Sequence, residues 1–182
     1  MNIEVIPGLK PETIALLTGK DELEAFLAHM KQQDPRCETF GMTGALESIL
    51  YRKDGLIEVR RKNNLIVNGG KDFIAEAIGK STSRPAVMGW IAVGTGTTAA
   101  AGAQTGLVTE LDRNAATYAH TAGTSTFTVE ASWAAGDGTG ALTESGIFNA
   151  STAGTMLNRV VFSVINKGAD DTLTQRFTFT LS

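Results

Sequence analysis

ALTESGIFNASTAGTMLNRVVFSVINKGADDTLTQRFTFTLS, residues 141–182, decides the fold. It is rich in β-branched and aromatic residues and poor in charge, as a buried sheet requires. It reads as three strands, Leu142–Phe148, Met156–Ile165 and Leu173–Leu181, with the last turn at Asn166–Lys167–Gly168. Glu144 is the one carboxylate inside the first of them. A catalytic acid of a glycosidase needs a second, facing carboxylate, and the sequence offers none at an obvious position. A structural hydrogen bond or a subunit contact is the expectation for Glu144.

Upstream, Phe127, Val129, Ala131 and Trp133 alternate with Thr126, Thr128, Glu130 and Ser132, the period of a half-buried strand. Gly136–Gly140 is a tight loop. Val87–Gly94 reads as another strand, followed by GTGTTAAAGAQTG, a loop too small in its side chains to pack a core of its own. Leu107, Val108 and Leu111 mark a turn or strand edge.

Residues 44–62 read as a hairpin about Asp54–Gly55, a strong two-residue turn signal. That register sets Leu50 opposite Val59, Arg52 opposite Ile57, Tyr51 opposite Glu58 and Glu47 opposite Lys62. It gathers Leu46, Leu50, Ile57 and Val59 on one face. Leu65–Val67 continues as a short strand, Asn68–Gly69–Gly70 turns, and Lys71–Ile78 is a helix with Phe73, Ile74, Ala77 and Ile78 inward. Short strands with Gly-rich turns predict a mainly β protein. The expected architecture is an antiparallel, jelly-roll-like β-sandwich with a short helix packed on it and an N-terminal helical or extended arm. The arm takes residues 1–43 and the sandwich domain residues 44–182.

Within the arm, Pro11 suits a first helical position ahead of Ile14, Leu16 and Leu17. Asp21 and Glu24 have capping-box spacing, and Leu23, Phe26, Leu27 and Met30 fall on one helical face. Burying those four side chains is worth roughly 6–12 kcal/mol, and so short a helix is marginal alone. Ile14, Leu17, Leu23, Phe26, Leu27 and Met30 are therefore the candidate interface residues. They would pack on this chain's own sheet or on a neighbouring subunit.

Composition limits the remaining choices. The chain has 182 residues, 42% of them hydrophobic, and a net charge of −3, with a pI near 5.4. That balance gives no electrostatic footprint for nucleic acid. No apolar run approaches the ~20 residues of a membrane helix, and the N-terminus does not read as a signal peptide. Neither nucleic acid nor membrane is expected as a partner. A lone Cys37 excludes an internal disulfide and suits synthesis in a reducing compartment. Residues 1–80 hold 23 of the 35 charged side chains, so the back half is the less charged, Thr- and Ala-rich one.

Motif by motif, chemistry is not indicated. Gly79–Lys80–Ser81 lacks the upstream glycine of a phosphate loop, where Ile74 stands, and it closes a helix instead of opening one. Gly94–Thr95–Gly96 lacks a third glycine and a following helix. His29 and His120 have no ligand-spaced partners. Asp137 and Asp170–Asp171 lack the ligand alternation of a calcium loop and read as turn residues. Asn149–Ala150–Ser151 matches a glycosylation acceptor, which carries little weight without secretion. Arg52, Lys53, Arg60, Arg61 and Lys62 make the hairpin basic, with only Tyr51 as a stacking aromatic. Trp90, Trp133, Tyr51 and Tyr118 are the candidates for a glycan platform, with both tryptophans expected inside strands. No catalytic, cofactor or metal residue is assigned.

RKNNLIVNGGKDFIAEAIG, WIAVGTGTTAAAGAQTGLVTELDR and the run from Phe127 to Ser182 together resemble small structural proteins of tailed bacteriophages. These are β-sandwich modules of the capsid surface and tail. The resemblance covers roughly residues 61–182 and is strongest at Val67–Lys71, Ala92–Thr98, Leu142–Phe148 and Val164–Leu173. It implies a non-enzymatic virion subunit, homo-oligomeric as a dimer or trimer, assembled in the host bacterial cytoplasm. Its partners would be the major capsid protein or other virion proteins. Capsid decoration or cementing is the leading expectation. A tail, collar or fibre-base component, and a module binding host-surface carbohydrate, are the alternatives.

Overall fold

The computed structural model describes residues 40–182. The six candidate arm residues, Ile14, Leu17, Leu23, Phe26, Leu27 and Met30, lie outside that range, as do His29 and Cys37. The described chain is an antiparallel β-sandwich with one helix. Its elements are β1 Met42–Tyr51, β2 Ile57–Asn63, β3 Leu65–Ile66, α1 Asn68–Gly79, β4 Trp90–Gly94, β5 Glu110–Ala115, β6 Thr117–His120, β7 Thr126–Trp133, β8 Gly140–Phe148, β9 Met156–Lys167 and β10 Thr172–Leu181.

Two five-stranded sheets result, ordered β2-β1-β10-β7-β6 and β3-β9-β8-β4-β5. The first and last strands of the sandwich are neighbours at the middle of the first sheet, in register from Met42↔Leu181 to Tyr51↔Thr172. Inward residues of both sheets form the main core, including Leu46, Leu50, Trp133, Ile147, Phe177 and Phe179. The strict alternation of β7 and β10 leaves their other face to Thr, Ser and charge, as expected of an antiparallel sheet wetted on one side.

The second sheet differs. β8 is buried almost without interruption from Leu142 to Phe148, so both of its faces are covered. Its inner face meets the first sheet. Its outer face carries a second, smaller core of Val67, Ala92, Phe148 and Met156, with Trp90 and Leu107 against it. The loop between β4 and β5 contributes Leu107 to this cluster.

Four local expectations are corrected. The hairpin pairs Tyr51 with Ile57, Leu50 with Glu58, Ile49 with Val59 and Glu47 with Arg61, one residue away from the expected register. The Gly55 amide donates to the Arg52 carbonyl, the Arg52 amide to the Leu56 carbonyl, and Gly55 has φ +88°. The connection is thus a three-residue loop, a turn followed by a left-handed glycine. Since a one-residue shift reverses faces, Ile57 and Val59 point outward and are exposed, while Leu46 and Leu50 are buried.

Asn68–Gly69–Gly70 opens α1 instead of turning the chain. A side chain at Gly70 would strike the Leu157 backbone, so this glycine seats the helix against β9. The Gly70–Phe73–Ile74–Ala77 stripe is the packed one. Ile78 lies about 80° around from Gly70 and is exposed. The strand expected from Val87 begins at Trp90, because the Gly89 amide bonds back to the Val87 carbonyl and leaves Val87 in solvent.

Candidate functional site

Glu144 sits in β8 on the covered outer face of the second sheet and is fully buried. Arg159, on neighbouring β9, is fully buried as well. Register places Glu144 opposite Val161 and Arg159 opposite Gly146, so the two are diagonal neighbours, within reach only of long side chains. Arg159 Nε donates to Glu144 Oε2 at 2.8 Å. Its Nη2 lies 2.7 Å from the same oxygen but is too poorly aligned to count as a second hydrogen bond.

The pair grips the loop of residues 95–109. Glu144 Oε1 accepts the amides of Gly96 at 3.0 Å and Thr109 at 2.7 Å, and Oε2 accepts that of Val108 at 3.0 Å. Arg159 Nη1 donates to the Thr98 carbonyl at 2.8 Å and to Gln104 Oε1 at 3.0 Å. Carboxylate and guanidinium therefore hold opposite groups of one loop, amides by the first and carbonyl-type oxygens by the second. A methyl on Gly94 would lie 2.7 Å from Glu144 Oε1, and one on Gly96 closer still. The Gly-Thr-Gly run exists to let backbone approach a carboxylate.

Electrostatics follow from these contacts. Burial alone would push the Glu144 carboxyl up; the Thr109 and Val108 amides and the Arg159 guanidinium outweigh it and hold the group below its ordinary value. Glu144 is thus an ion with its lone pairs occupied and no path to solvent. That is the structural role expected of it, and it cannot act as a general acid from this position.

A second polar contact joins the two sheets. Ser145 Oγ in β8 lies 2.6 Å from Gln175 Oε1 in β10 and 2.8 Å from the Ala92 carbonyl, so its single proton serves one or the other. Gln175 Nε2 donates to Ser48 Oγ in β1 at 3.2 Å. All three residues are fully buried.

The remaining candidates are dispersed. His120 ends β6, with Nδ1 2.8 Å from the Thr126 carbonyl. Gly79–Lys80–Ser81 follows the last turn of α1. Asp171 caps the β9–β10 turn, accepting from the Gly168 and Lys53 amides at 2.8 and 3.2 Å. Arg52, Lys53, Arg60 and Arg61 each face a carboxylate of this chain: Glu58, Asp170, Glu58 and Glu47. Trp133 is fully buried and Trp90 half-buried. Tyr51 and Tyr118 are exposed on different strands, Tyr118 beside Phe127 with ring centres 5.8 Å apart; they build no common platform. A cleft of about 390 Å³ opens between Lys62–Leu65, Thr97–Ala100 and the outer side of β9 at Val161. Among the described residues no three His, Cys, Asp or Glu converge as metal ligands. No helix among them is long and apolar enough to cross a membrane.

Sequence reasoning singled out Glu144 but not Arg159 or Gln175. The available signal was polarity at positions that the strand period assigns to buried faces: Glu144 in β8, Arg159 in β9 and Gln175 in β10.

No protein-family model, no curated protein and no solved structure matches the chain.

Proposed function

We propose that this protein is a non-enzymatic structural subunit of a bacteriophage virion, a capsid decoration or cement protein that binds the major capsid lattice and self-associates as a dimer or trimer. One observation carries the reading. The most enzyme-like group in the sequence, Glu144, is committed to holding a surface loop on a sandwich, from a strand, β8, that is covered on both faces. Such a body is built for rigidity, and the resemblance of residues 61–182 to phage structural modules points the same way. The arm residues Ile14, Leu17, Leu23, Phe26, Leu27 and Met30 are the proposed lattice contacts.

The test is binding of the full chain, and of a chain lacking residues 1–35, to bare capsids. Saturable binding lost with the truncation supports the reading; undiminished binding removes the arm from it; no binding by the full chain removes capsid decoration. Copy number separates the tail alternative. Hundreds of copies per particle mean capsid, and roughly six to a few dozen mean tail, collar or fibre base, by the symmetry of each assembly.

A further inference from the structure

The outer face of the first sheet carries one row of charge that crosses four strands in register. Arg61 on β2 stands opposite Glu47 on β1, Glu47 opposite Arg176 on β10, and Arg176 opposite Glu130 on β7. Arg61 and Glu47 meet at 2.5 Å and Arg176 and Glu130 at 2.6 Å, with the arginine side chains 74% and 51% exposed. The rows on either side are uncharged: Asn63, Ala45, Thr178 and Thr128 on one, Val59, Ile49, Thr174 and Ser132 on the other. The face is therefore a plate with a single alternating stripe. At one corner of it Tyr51, Ile57 and Val59 are exposed.

Ion pairs within a sheet are, by themselves, consistent with a solvated face. The order of the signs adds a further constraint. Plus, minus, plus, minus read backwards is minus, plus, minus, plus, so the stripe is complementary to itself reversed. A two-fold axis parallel to the strands, between β1 and β10, reverses it. A two-fold perpendicular to the strands instead sets like charge over like.

We infer that this plate is a homodimer interface, its partner a second copy of the chain related by a two-fold axis parallel to the strands. Arg61 then lies over Glu130 of the partner subunit and Glu47 over Arg176 of the partner subunit. Each apolar corner of Tyr51, Ile57 and Val59 covers the partner's threonine and serine side of the plate. The axis overlays four strands, β2, β1, β10 and β7, and at about 4.8 Å spacing over about eight residues each they offer roughly 520 Å² per subunit. The total of about 1,000 Å² is at the lower bound expected of a specific interface. The inference sharpens the self-association part of the proposed function and does not depend on which particle the protein joins.

Sedimentation velocity on the full chain at about 100 μM tests it. The expected species at low salt has twice the 19.2 kDa chain mass, and its dissociation constant rises at least about tenfold at high salt. An all-positive stripe, Glu47→Arg with Glu130→Arg, and an all-negative stripe, Arg61→Glu with Arg176→Glu, each weaken self-association by at least about 100-fold. An equal mixture of the two restores a dimer. Should either double variant fail to fold by circular dichroism, Thr178→Arg places one bulky side chain on the plate with the stripe intact, and must dissociate the pair. A monomeric wild type, or an oligomer that tolerates the stripe variants and Thr178→Arg, overturns the inference. Capsid binding is read separately, so a dimer that ignores capsids sinks the proposed function and leaves this interface standing.

Discussion

Glu144 and Arg159 meet diagonally across β8 and β9, and between them hold both ends and the middle of the loop from Thr95 to Thr109. Removing one partner leaves the other charged, buried and alone. Glu144→Ala is expected to cost about 3–5 kcal/mol, the range for breaking a buried pair. Urea unfolding of wild type and variant checks it. A loss below 1 kcal/mol would mean that the loop is held by other contacts.

Glycine at 94 and 96 is required by space. Gly96→Ala forces a methyl onto the Glu144 carboxylate and is expected to cost about 1–3 kcal/mol, the usual range for overpacking. Combined with Glu144→Ala, which removes the carboxylate but leaves Val108 Cβ 2.7 Å from the new methyl, it should add less than it does alone. A double-mutant cycle by urea unfolding reads this coupling; strict additivity would contradict the packing argument.

Acid and alkaline limbs of the stability profile have different owners. Glu144 and Asp171 both titrate below their ordinary values of 4.5 and 3.8. Their contribution is complete above those values and is lost as pH falls through the lower folded ones. The Asp171 shift comes first from the Gly168 amide, opposed by burial and aided by the Lys53 amide and Arg52. Thermal melts should hold level down to about pH 5 and decline below it; Glu144→Gln and Asp171→Asn should each lower the plateau and flatten the decline.

Lys167 works with the opposite sign. It is buried, with Nζ donating to the Ala134 carbonyl at 2.9 Å. Burial lowers its pKa below 10.5, and the more distant Asp171, Asp137 and Asp112 only partly offset that. The unfolded chain then holds the proton to higher pH than the folded one. Stability contributed here rises from the folded value up to 10.5. Lys167→Met should be at least as stable as wild type at pH 7 and should lack that alkaline rise; melts between pH 7 and 10 decide.

Among the described residues, Gln175 makes the buried side-chain hydrogen bond that joins the two sheets, to Ser145. Gln175→Leu strands Ser48 Oγ and is expected to cost about 1–3 kcal/mol. Adding Ser48→Ala should recover part of that loss by removing the stranded hydroxyl, while Ser145 keeps its bond to the Ala92 carbonyl. Failure to recover, measured by urea unfolding, would point to shape and not hydrogen bonding at this position.

Strand identity was legible because period-2 alternation is a direct record of burial on one side. Phe127 to Trp133 reads inward and outward as the structure has it. The hairpin register was not, because Asp-Gly serves both a two-residue loop and a three-residue loop; Gly55 is left-handed in either, and the choice turns on Asp54, which does not take a positive φ here. Nor was the partner of Glu144: Arg159 is 15 residues away and meets it through strand pairing, which a linear pattern does not record. Gly94–Thr95–Gly96 likewise looks like any flexible loop until a carboxylate is placed beneath it.

Glu144 and Arg159 hold the 95–109 segment by its main chain, apart from one bond to Gln104. Thr97, Thr98, Ala99, Ala101, Ala103 and Thr105 all face water. Their identities can drift without loosening the anchor. The surface they form is thus free to diversify, or to carry a grafted peptide epitope, while the framework beneath it stays constant.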